Sequence, residues 1–77
     1  MDFIDKKERI ADLIEEYISN EGSGQELIDY CVQMSIDFDF KNKELFQNLL
    51  PEIIKYLPQL SRKDLKQRVS MIRTFME

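Results

Sequence analysis

Apolar residues recur along this chain with the 3.6-residue period of an α-helix, and that regularity restricts the fold more than any other feature. Phe3, Ile4, Ile10, Ala11, Leu13, Ile14, Tyr17 and Ile18 fall on one half of a helical wheel at about 100° per residue. The other side of this segment, Phe3 to Ser19, gathers Asp5, Glu8, Asp12, Glu15 and Glu16 within about 100° of arc. A second segment, Gly24 to Ile36, presents Leu27, Ile28, Tyr30, Cys31, Val32 and Met34 over a wide arc, which marks it as the most buried. A third, Lys43 to Leu57, holds Leu45, Phe46, Leu49, Leu50, Ile53, Tyr56 and Leu57 in one helical phase. The last opens at Ser61 and carries Leu65, Val69, Ile72, Phe75 and Met76 as its inward stripe.

Turn chemistry separates these segments. Asn20-Glu21-Gly22 is a helix stop containing residues tolerant of left-handed geometry, and Ser23-Gly24-Gln25-Glu26 has the Ser-x-x-Glu spacing of a capping box. Ser61 with Asp64 three positions on caps the last helix. Pro51 lies on the polar side of the third segment, which is therefore either one kinked helix or two short collinear ones with Pro51 opening the second; Pro58 ends it. Ile36-Asp37-Phe38-Asp39-Phe40 alternates with period two, but no second strand exists to pair with it. It reads as a connector whose aromatics plug the core, with Asp37, Asp39 or Asn42 available to cap the helix that follows. The expected fold is all-α: a compact bundle of four amphipathic helices, five if the third breaks at Pro51, in a single domain over 1–77. No stop signal follows Phe75-Met76-Glu77, which fits a frayed end or the N-terminal domain of a longer chain.

With 77 residues, such a bundle buries only about 60% of the surface its unfolded chain exposes. Its core is thin, and every large apolar residue is expected inside. The apolar runs are short and broken by charges, and the first eight residues lack the apolar stretch of a signal peptide. These features place the chain in the cytoplasm, away from membranes.

Little in the sequence suggests chemistry. There is no histidine and one cysteine, so the usual zinc and haem ligand sets are missing and no cofactor or metal is expected. Asp37-x-Asp39 followed by Glu44 fails as a calcium loop, because Lys41 and Asn42 stand where a ligand and the turn glycine belong. Asp12, Glu15, Glu16 and Glu26 lie on solvated helix faces, where carboxyl groups have no cause to become acid–base catalysts. Cys31 falls inside an apolar stripe, the setting of an inert thiol. Gly22-Ser23-Gly24 is too short to cradle phosphate. Met34, Met71 and Met76 fit core filling, with an adaptable surface around Met71 and Phe75 as a lesser option. No enzyme activity and no small-molecule substrate are expected.

Charge carries the functional expectation. Residues 1–40 hold eleven acidic side chains against three basic, and residues 41–77 hold eight basic against four acidic, within a net charge of −4. On helices this sorting becomes an acidic stripe of Asp5, Glu8, Asp12, Glu15 and Glu16 and a basic one of Arg62, Lys63, Lys66 and Arg73. A pair such as Arg9 with Asp5 adds a few tenths of a kcal/mol, yet Glu8, Asp12 and Glu16 put like charges four apart at a similar cost. Local stability does not account for the stripes, whereas a partner or the opposite stripe does. The leading expectation is a non-catalytic protein–protein interaction or regulatory module that binds through a charged helix face, including head-to-tail self-association. Alternatives are a small acidic inhibitor or immunity-type protein presenting the first stripe, and a DNA-binding regulator using the basic helix. Overall acidity, with a pI near 4.8, counts against nucleic acid.

Overall fold

The computed structural model describes residues 2–76, which form five helices: α1 (Phe3–Ile18), α2 (Gly24–Ser35), α3 (Phe38–Lys41), α4 (Glu44–Tyr56) and α5 (Arg62–Thr74). A 3₁₀ turn, Leu57–Gln59, links α4 to α5, and no strand occurs among the described residues. The all-α expectation holds. The radius of gyration is 11.3 Å, against about 11.5 Å for a compact chain of this length.

Caps set the element boundaries. Asp2 opens α1 by accepting the amide of Asp5 at 2.9 Å, Ser23 opens α2 through Glu26 at 3.0 Å, and Ser61 opens α5 through Asp64 at 3.1 Å. The end of α1 is a Schellman motif: the Glu21 amide donates to the Glu16 carbonyl at 2.8 Å, and the Asn20 amide donates to Tyr17 at 3.2 Å. Asn20 takes the left-handed position at φ 61°, while Gly22 is needed for closeness, since a Cβ there would lie 3.0 Å from Glu16 Cβ.

The connector between α2 and α4 departs from the expectation. It contains the one-turn helix α3, whose N-cap is Asp37, bonded to the Asp39 amide at 2.8 Å. The N-cap position of α4 falls to Lys43, which makes no side-chain cap, so neither Asp37, Asp39 nor Asn42 caps α4. Of the connector's aromatics Phe40 plugs the core, whereas Phe38 points outward. Pro51 sits within a continuous α4, so the two-helix alternative for that segment does not occur.

One core joins all five helices. At one end Phe3, Phe40, Phe46 and Phe75 meet with ring centroids 4.8–6.1 Å apart, mostly edge to face. Burial is distributed differently from the sequence pattern. α1, with Phe3, Ile10, Ala11, Leu13 and Ile14 inside, is the most buried helix, and α2 contributes only Leu27, Cys31 and Met34. Its neighbours α1, α3 and α4 cover less of α2 than its apolar arc spans. Large apolar side chains accordingly remain outside: Ile4, Val32, Ile36, Phe38, Tyr56, Met71 and Met76 are exposed. A five-helix bundle this small has too little interior to enclose them.

Candidate functional site

α1 and α5 pack side by side in opposite directions, and this contact organises the charges. Arg73 near the end of α5 reaches across to Glu8, Asp12 and Glu15, with its Nη2 3.1 Å from Asp12 Oδ1 and hydrogen bonds to Glu8 and Glu15. Those three acids repeat every three to four residues, so one guanidinium spans two turns of α1. The hydrogen bonds that Arg73 donates to Asp12 and Glu15 hold it above its ordinary pKa. Among the described residues the basic stripe thus answers the acidic stripe within one molecule through Arg73 alone.

The contact is reciprocal. Lys7 of α1 is 4% exposed, and its Nζ donates to the carbonyls of Arg73 and Phe75, each at 3.3 Å, where α5 runs out of intrahelical donors. Its charge also suits the negative end of the helix dipole. Lys7 belongs to neither of the charged stripes legible in the sequence. A signal was present, because Lys7 stands between Phe3 and Ile10–Ala11 on the apolar face, where a lysine must find partners.

The other charged residues divide into paired and unpaired sets. Glu16 pairs with Arg9 at 3.8 Å, and Arg9 also reaches Glu26 of α2 at 3.5 Å instead of Asp5. Arg68 forms a two-pronged pair with Glu52 of α4, both bonds 3.1 Å. Asp37 accepts Lys6 at 2.7 Å through one oxygen while capping α3 with the other. The hydrogen bonds from Lys6 and the Asp39 amide hold the Asp37 carboxyl below its ordinary value. Asp5 makes no ion pair among the described residues, and neither do Arg62, Lys63 or Lys66.

Arg62 and Lys66 line an open groove of about 610 Å³ along the α1–α5 seam, with Ile18 and Val69 as apolar lining and Ser70 and Thr74 as hydroxyl groups. A second groove, which shares Ile18 and Arg62, continues it toward Asn20 and Gly22. The shape is a surface channel over two helices, and its chemistry is cationic at the α5 N-terminal end.

Burial pushes the Cys31 thiol up to about 12, far from a thiolate nucleophile at neutral pH. Among the described residues no cluster of three or more His, Cys, Asp or Glu side chains is placed to hold a metal ion, and no helix is long and apolar enough to cross a membrane. Comparison with protein-family models, curated proteins and solved structures finds no match.

Proposed function

We propose that this chain is a non-catalytic protein–protein interaction module of the cytoplasm whose partner docks along α5 over Arg62, Lys63 and Lys66. The observation behind this reading is the division of the cations of α5. Arg68 and Arg73 are spent on holding the bundle together, whereas the three cations nearest the helix start face solvent beside a groove with apolar lining. An apolar centre with a charged rim is the composition of a specific protein interface, and the rim charges set orientation and encounter rate. Glu8, Asp12 and Glu15 are a weaker candidate surface, because a partner there competes with Arg73.

Affinity capture with the intact chain tests this against two variants. Arg62→Glu with Lys63→Glu and Lys66→Glu is expected to lose the partner. Asp5→Lys, at the unpaired end of the acidic stripe, is expected to retain it. Equal recovery by both rejects α5 as the binding face. Retention of duplex DNA at low salt, lost on the same reversals, assigns the face to nucleic acid instead.

A further inference from the structure

The α2–α3 elbow displays two of the most exposed large apolar side chains in the molecule, Ile36 at 81% and Phe38 at 80%. They are not on a loose loop. Asp37 between them is fixed from both sides, capping α3 through one oxygen and holding Lys6 of α1 through the other. Val32 lies one turn before Ile36 and extends the apolar strip, and Asp29 lies one turn before Val32 on the same exposed face of α2. The elbow is therefore a fixed apolar knob with acids at its margins, Asp29 on one side and, on the other, Asp39, which lies 3.6 Å from Lys6 of its own chain and stays half exposed.

The groove between α1 and α5 has the complementary character. Ile18 and Val69 line it together with Arg62 and Lys66, which have no carboxylate partners among the described residues, and it is an open channel of about 610 Å³. Knob and groove cannot meet within one molecule. The elbow is tied to Lys6 and the groove begins at Glu15, nine residues further along α1, which is about 180° around that helix and about 13.5 Å along it.

We propose that the Ile36–Phe38 knob of one copy seats in the α1–α5 groove of a second copy, with Asp29 and Asp39 facing Arg62 and Lys66. This rests on the reading of the chain as an interaction module and names a second copy as the partner. The contact is heterologous, so each joined pair keeps one free knob and one free groove, and assembly proceeds to open chains or a ring. α3 also carries Lys41, so charge orients the contact and apolar burial holds it.

Sedimentation equilibrium of the full chain at low salt tests the proposal with two variants altered only at exposed positions, their folding checked by circular dichroism. Phe38→Asp removes the knob, and Arg62→Glu with Lys66→Glu blocks the groove. The wild-type mass is expected to rise with concentration past two chains, and each variant is expected to stay at one. An equimolar mixture of the variants is expected to stop at two chains, because it offers one working knob and one working groove. A monomeric wild type, a mixture that stays monomeric, or either variant associating like the wild type overturns the proposal. If the wild type is monomeric yet captures another protein through Arg62 and Lys66, this inference falls and the interaction-module reading survives.

Discussion

Lys7 works at the end of α5 as a capping side chain does at the start of a helix, except that it is supplied from another element. Lys7→Met keeps the aliphatic stem and removes the donor, leaving carbonyls near the bundle interior with fewer partners. The expected cost is about 1–2 kcal/mol, measured by urea denaturation, with faster amide exchange confined to the last turn of α5. Unchanged stability and exchange would refute the capping role. Cys31 has a different signature. Its folded thiol holds its proton to about 12, whereas in the unfolded chain it ionises near the ordinary value of 9.0. The unfolded state therefore binds fewer protons as pH rises above 9, and stability falls in that window. The slope approaches about 1.4 kcal/mol per pH unit. Denaturation of wild type and Cys31→Ala between pH 8 and pH 10, chosen to span the onset, should show the extra slope only in the wild type.

At the scale of elements, α4 is a helix that tolerates a proline because of where the ring points. Pro51 is on the exposed side while Phe46, Leu49, Leu50 and Ile53 stay in phase toward the core. Packing therefore outweighs a local penalty of about 3 kcal/mol relative to alanine in a helix interior. Pro51→Ala is expected to raise the urea midpoint, by about 1–3 kcal/mol in stability; a fall would mean that the proline stabilises α4. The helical period alone located α1, α2, α4 and α5, since apolar faces that wide leave no other arrangement. It did not reveal α3, because four residues are too few to show a period, nor the outward aim of Phe38. The two charged stripes were legible as faces, but the Arg73 contact with Glu8, Asp12 and Glu15 was not. A wheel projects each helix alone, and the antiparallel packing of α1 against α5 is a property of the pair.

For the molecule as a whole, ion pairs tie α1 to three of its neighbours: Lys6 to α3 through Asp37, Arg9 to α2 through Glu26, and Glu8, Asp12 and Glu15 to α5. All are partly exposed, so salt screens them. Raising sodium chloride from low concentration to about 0.5 M, where the Debye length is well under 10 Å, is expected to lower stability by about 1 kcal/mol. In a domain this small that is roughly 4–8 °C in melting temperature. Arg73→Met should show a smaller decrease, and equal salt sensitivity would show that the Arg73 contacts contribute little. The meeting of Phe3 with Phe75, rings 6.1 Å apart, brings the start of α1 and the end of α5 to one place. A circular permutant joined there by a short linker and reopened in the Asn20–Ser23 turn would convert α5 and α1 into a helical hairpin. The most sequence-distant pairing in the bundle would become a local one, and such a permutant is expected to keep the fold and reach it faster.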